Sequence, residues 1–490
     1  MGDGSKQGGS VAQGTLRIDV EAYIAIKDFV GLNEIARTEG ASSPCRTVVS
    51  PGTHSSLGHP SQNMEKDATQ LECQPVSSNH RRPLELEPVM DLRLPWWRIA
   101  TALAFARIAT ASSPACTSAS ACSFNGECAN GACVCTAAWS GPSCGTLNVL
   151  PGDRKAGLRE VGDQQNVTTW GGAVLLGDDG QYHMWASEMT NHCSLNSWAD
   201  NSQVVHAISD RPAGIYTRQA IAIPNEAHEP NVVRGPHGEY VMFVCTETGG
   251  GGDNCNKTAR DNGKTSNYSA KGANFETFMT TSATPNGPWS RQQRVISTEG
   301  WHNRDANLAA VILADNSLVG LFRSDPQGTP QGTPHGTPPG PQTPYGGSRI
   351  HLATATNYSD PGTWTLHQDE LFAPIHGEPF SAEDPFVWLD AKGRFHALFH
   401  QFTGCVDPGA DIPACGSHAY SEDGRTWTYG GLAFNRTATF TDGSSFAFNR
   451  RERPHLVMAK DGCTPVALST GVTYDTSGHA YTLVQPIATA

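Results

Sequence analysis

Short apolar runs broken by turn residues recur through the last two thirds of the chain. Glu383-Asp384-Pro385 opens into Phe386-Val387-Trp388-Leu389, then Asp390-Ala391-Lys392-Gly393, then Arg394-Phe395-His396-Ala397-Leu398-Phe399-His400. This pattern predicts a β-hairpin with two carboxylates at its entrance. A proline at a strand start costs no ladder hydrogen bond, and glycine suits the turn. The unit recurs at Gly171-Gly172-Ala173, Glu229-Pro230-Asn231 and Arg453-Pro454-His455, and more loosely at Asp305-Ala306-Asn307. The step from Gly172 to Gly180, Pro230 to Gly238, Pro385 to Gly393 and Pro454 to Gly462 is eight residues each time. A second hairpin follows most copies, with turns at Ser209–Tyr216, Ser282–Trp289, Pro361–Trp364 and Ser421–Trp427. Two hairpins make a four-stranded sheet. Five such sheets around an axis predict an all-β fold, a five-bladed β-propeller over residues 146–490.

The chain before residue 146 reads differently. Residues 1–89 are polar and aperiodic and are expected to be a disordered leader or to be absent from the mature protein. At 90–111 a basic stretch through Arg98, the apolar run Ile99–Ala106 and Ala109-Thr110-Ala111 form a signal-peptide-like segment, so translation is expected to begin at Met90. The apolar run is too short to span a bilayer, and no membrane span is expected. Residues 326–347 carry a Gly-Thr-Pro repeat that cannot build a core and are expected to be a disordered insert.

Composition sharpens this picture. A formal charge of −13 excludes nucleic acid as a partner, because phosphate binding needs basic surface. Of 14 cysteines, six lie close together: Cys116, Cys122, Cys128, Cys133, Cys135 and Cys144. Spacing alone leaves about fifteen connectivities. The intervals resemble an EGF-like module over residues 112–145. That resemblance implies Cys116–Cys128, Cys122–Cys133 and Cys135–Cys144, and allows extracellular protein partners. A domain this small needs such staples. Cys245 with Cys255 and Cys405 with Cys415 are each ten residues apart and are expected to clip local loops. Cys193 and Cys463 would remain to lock the ring. Sequons at Asn166, Asn256, Asn267, Asn357 and Asn435 agree with a secreted glycoprotein. The acidic calcium signature is absent before Cys116, and no His–Cys set has zinc-finger spacing, so no metal is expected there.

In a propeller the first strand of each blade lines the channel. Its opening residues here are Gly171, Glu229, Asp305, Asp384 and Arg453, preceded by Trp170, His228, Arg304, Glu383 and Glu452. Carboxylates brought together split their proton affinities into an acid and a base. Arginine holds a neighbouring acid ionised or binds a carboxylate, and tryptophan offers a flat face to a sugar ring.

Trp170-Gly171-Gly172, Asp179-Gly180-Gln181-Tyr182-His183, His228-Glu229-Pro230-Asn231, Glu383-Asp384-Pro385-Phe386-Val387-Trp388 and Arg450-Arg451-Glu452-Arg453-Pro454 resemble the five-bladed propellers of the glycoside hydrolase family 43 superfamily. The resemblance implies inverting hydrolysis of glycosidic bonds in a cell-wall or matrix polysaccharide. Asp384 fits an acidic channel position and would be the base, Asp305 resembles the assisting aspartate, and Glu229 or Glu383 would be the acid. Trp170, His228, Arg304, His400, Arg451 and Arg453 are the candidates for holding the carbohydrate, with His418 a further histidine that could meet sugar hydroxyls. The family's first-blade aspartate is replaced by Gly171. Some relatives hold an ion in the channel, but nothing in this sequence calls for a calcium, and no cofactor is expected. The alternative reading is a non-catalytic extracellular propeller that binds carbohydrate or protein.

Overall fold

The computed structural model describes residues 115–159, 167–224, 227–247, 255, 275–297, 306–324, 348–374, 380–403, 405 and 415–489. The expected leader, the signal-like segment, the 326–347 insert, Arg304, Asp305 and the sequons at 166, 256 and 267 lie outside these residues.

Among the described residues, five four-stranded antiparallel sheets form the blades of a propeller. The innermost strands are Thr169–Leu176, Ala227–Arg234, Ala309–Ile312, Ala382–Leu389 and Arg450–Met458. Each begins at one end of the channel, here called the mouth, and turns back at the other. The turns at Gly180, Gly238, Gly393 and Gly462 all have positive φ, which glycine adopts without penalty. The inner hairpins and the second hairpins therefore fall where the apolar runs place them.

The mouth end of the inner strands carries a repeated irregularity. Pairing slips by one residue between Trp170 and Ala173, His228 and Asn231, Glu383 and Phe386, and Glu452 and His455. Two residues there oppose one on the partner strand, which defines a β-bulge. The first bulge residue is left-handed in each: Gly171 (φ 64°), Glu229 (59°), Asp384 (54°) and Arg453 (56°). The second is Pro230, Pro385 or Pro454 in three blades, where the unpaired position needs no N–H donor. Non-glycine residues in this conformation carry strain of about 1–3 kcal/mol each, which concentrates at functional sites.

Ring closure is made by backbone pairing. The fourth strand of blade five is Gly157–Leu158, which pairs with Leu483 and Thr482 of the strand Ala480–Pro486. The expected Cys193–Cys463 lock is not made. Cys193 follows the second strand of blade one at the mouth end, whereas Cys463 sits in the inner turn of blade five at the opposite end. Cys193 pairs instead with Cys255, which follows the second strand of blade two at the mouth end. This also corrects the expected Cys245–Cys255 clip: Cys245, buried within blade two, and Cys463 take part in none of the disulfides among the described residues. Cys405–Cys415 forms as expected.

The small N-terminal module has the implied bridges Cys116–Cys128, Cys122–Cys133 and Cys135–Cys144. It is packed against blade four. Trp139 stacks on Trp388 with ring centroids 6.4 Å apart and lies 4.7 Å from the His418 ring. Arg394 covers the Phe124 ring at 4.3 Å, and Lys392 pairs with Glu127 at 2.8 Å.

Candidate functional site

Charged side chains from blades two to five meet at the mouth, those of blades two, four and five at their bulges. Arg453 Nη1 lies 3.1 Å from Glu229 Oε2 and 3.1 Å from Asp384 Oδ1. The Arg453 backbone N–H also donates to Asp384 Oδ2 at 3.2 Å. Beside this group, Arg323 Nη1 donates to Glu383 Oε2 at 2.9 Å, and His400 Nδ1 lies 3.2 Å from Glu383 Oε1. Glu452 accepts a two-pronged bond from Arg450 at 2.7 and 2.6 Å and lies 3.9 Å from His400. All four acids are buried, at 1–8% exposure. Burying that much charge is tolerable only because each carboxylate has a cationic partner.

His400 is the residue most changed by this surrounding. Burial pulls its proton affinity down, but Glu452, Glu383 and Asp384 outweigh burial and push it up to about 9. It is an imidazolium at neutral pH. Asp384 is pushed up to about 6, first by burial and then by Glu383 and Glu452, against the opposing charge of Arg453 and His400. The ligand-type atoms of Glu383, Asp384, His400 and Glu452 lie within 4.8 Å of one another. Arg323, Arg450 and Arg453 already meet the carboxylate charge there, so the arrangement is an ion-pair knot rather than a vacant cation cage.

The sequence-derived candidates divide accordingly. Glu229, Glu383, Asp384, His400 and Arg453 converge at the mouth. His228 joins them, with Nε2 at 3.6 Å from Glu229 Oε1. Trp170 borders the knot but presents no open face: it is 3% exposed, with the Arg450 guanidinium 5.0 Å from its ring and Gly471 packed close against the ring as well. Arg451 points away. Strand alternation sends its side chain to Gln485 Oε1 at 2.8 Å and to the carbonyls of Asn435 and Thr437. His418 lies inside blade four, with Nε2 at 3.0 Å from His396 Nδ1. Arg304 and Asp305 lie outside the described residues.

Sequence reasoning missed Arg323 and Ser187. Both sit near the mouth end of second strands, as His400 does. Ser187 Oγ accepts the Glu229 backbone N–H at 2.8 Å and so braces the strained bulge. The signal was the hairpin register, which opposes Ser187 to Trp170 and His400 to Glu383.

Gly171 explains the place of Arg453. A Cβ built at Gly171 would lie 3.1 Å from both Arg453 Cβ and Nε. The arginine stem therefore occupies the space beside the first-blade bulge where the family resemblance implied an acid.

No protein-family model matches the chain. No curated protein matches it. Among solved structures, it is similar to a family 117 glycoside hydrolase of the marine bacterium Zobellia galactanivorans, at 11% identity over 70% of this chain and 90% of that one, with a TM-score of 0.42. It is also similar to a thermostable family-43 glycoside hydrolase, at 13% identity over 65% and 89%, with a TM-score of 0.41. An endo-arabinase of Bacteroides thetaiotaomicron is matched at 12% identity over 66% and 95%, with a TM-score of 0.40.

Proposed function

We propose that the protein is a secreted, glycoside-hydrolase-like protein that acts on glycosidic bonds of a cell-wall or matrix polysaccharide at this mouth. The observation that carries the reading is the shared contact of Arg453 Nη1, 3.1 Å from both Glu229 and Asp384. Acids from blades two and four are thereby held with their nearest oxygens no more than twice that distance apart. Glycoside hydrolysis needs one protonated and one ionised carboxyl group across the scissile bond. Asp384, pushed up to about 6, suits the proton donor. Glu229, paired with Arg453, suits the ionised partner. This exchanges the roles that the family resemblance implied. The oxygen-to-oxygen separation of Glu229 and Asp384 is shorter than the roughly 6.5–9.5 Å of inverting enzymes, and the Arg453 guanidinium touches both acids, so turnover with inversion requires the guanidinium to swing aside and the acids to part.

One observation favours a second reading. Arg453 packs on Gly171 and spans both acids, which fits a mouth that binds carbohydrate without cleaving it. The test is incubation of the protein, Asp384→Asn and Glu229→Gln with arabinan, xylan, galactan and aryl glycosides, with products followed by NMR. The hydrolase reading expects turnover that either substitution lowers by roughly 10²–10⁴-fold, and the anomer released reports inversion or retention. Glycan retained without any product would leave the binding reading.

A further inference from the structure

His228 is buried at the mouth and is held on three sides. Ser202 Oγ lies 2.7 Å from Nδ1. The Trp198 ring stacks on the imidazole at 4.8 Å, with planes 25° apart. Nε2 faces Glu229 Oε1 at 3.6 Å, and Glu229 reaches Arg453 through its other oxygen. Across the ladder His228 opposes Cys245, a buried thiol. A serine, a histidine and a glutamate in sequence invite comparison with a nucleophilic triad, but Ser202 is 0% exposed and no substrate carbon can reach it. The chain must serve Glu229 instead.

The proton positions follow from the charges. Arg453, 3.1 Å from Glu229, favours the ionised carboxylate. An ionised carboxylate accepts only, so the nitrogen facing it carries the hydrogen. Nε2–H on a neutral imidazole leaves Nδ1 with a lone pair, and the partner of that lone pair must donate. Burial, and then the charge of Arg453, keep the His228 ring neutral. We propose that Ser202 and His228 are positioning residues that hold Glu229 as an ionised acceptor: the Ser202 hydroxyl donates to Nδ1, and Nε2–H is presented to Glu229. The catalytic role given to Glu229 rests on the hydrolase reading; its ionisation beside Arg453, and the His228 tautomer that follows from it, do not.

Two measurements separate these parts. The first is two-bond ¹H–¹⁵N NMR of the histidine-labelled full chain, with His228→Asn identifying the resonance. The Nε2–H tautomer is expected in the native protein, with an Nδ1 resonance shifted by an accepted hydrogen bond that moves to that of a bare lone pair in Ser202→Ala and returns in Ser202→Thr. An Nδ1–H tautomer in the native protein, or an Nδ1 resonance unmoved by Ser202→Ala, overturns the proposal. The second is the pH profile of kcat/KM on whichever glycan is cleaved. Loss of the Nε2–H contact raises the proton affinity of Glu229. The acid limb should move to higher pH in Ser202→Ala, with kcat/KM about tenfold lower at that limb, KM unchanged, and recovery in Ser202→Thr. An unshifted limb overturns the positioning role. A native protein that cleaves no glycan removes the hydrolase reading and with it the role given to Glu229, while the tautomer still stands or falls on the spectrum.

Discussion

At the scale of single residues, the mouth works by compensation. Four buried acids are tolerated because three arginines and one protonated histidine stand among them, and His400 is the one of these cations whose charge ordinary pH can remove. Its folded value of about 9 lies above the ordinary 6.5. A raised value means that its contribution to stability is fully present below about pH 6.5 and is lost as pH rises through about 9, on the order of 3 kcal/mol by linkage. Thermal unfolding between pH 6.5 and 9 should therefore show a falling Tm that His400→Asn flattens. An equal slope in the variant would mean that another group titrates. Residue identity made Glu229, Glu383, Asp384 and Arg453 legible in the sequence, because each sits beside a strand-opening proline. Arg451 was misplaced because identity alone does not say which face of a strand a side chain takes. The answer came from alternation interrupted by a bulge.

At the scale of elements, the eight-residue step from strand-opening residue to turn glycine was enough to locate four of the five inner hairpins. The bulges were not legible as such, although the Glu-Pro, Asp-Pro and Arg-Pro pairs mark them. The cysteine pairing was misread because closeness in sequence was taken for closeness in space. Cys193 and Cys255 are 62 residues apart yet follow equivalent strands of neighbouring blades. Non-reducing peptide mapping should recover a Cys193–Cys255 linked peptide, with buried Cys245 alkylated only after unfolding and partly exposed Cys463 alkylated in the native protein. A Cys245–Cys255 peptide would contradict the pairing. Closing a loop of that length is worth about 4 kcal/mol, so Cys255→Ser should lower stability by up to that amount while leaving Cys405–Cys415 intact.

At the scale of the whole molecule, two contacts could not be read from the chain. The ring is closed by Gly157–Leu158, two residues with no strand pattern, pairing with a strand more than three hundred residues away. The disulfide-rich module is docked rather than tethered. Its Trp139, 4% exposed, completes an aromatic cluster with Trp388 and His418 of blade four. Truncating a buried tryptophan to alanine costs about 3–5 kcal/mol. Trp139→Ala should therefore accelerate hydrogen exchange both in the module's strand Gly126–Ala129 and in Phe386–Leu389. Acceleration confined to the module would show that the two parts are mechanically separate.

The innermost strand of blade four, Ala382–Leu389, carries Glu383 and Asp384 at one end and Trp388 at the other. At about 3.3 Å per residue Asp384 and Trp388 lie roughly 13 Å apart. The strand is thus a rod gripped by the module at one tip and tipped with carboxylates at the other. Any shift of the module against Trp388 is therefore applied to the same strand that carries the acids.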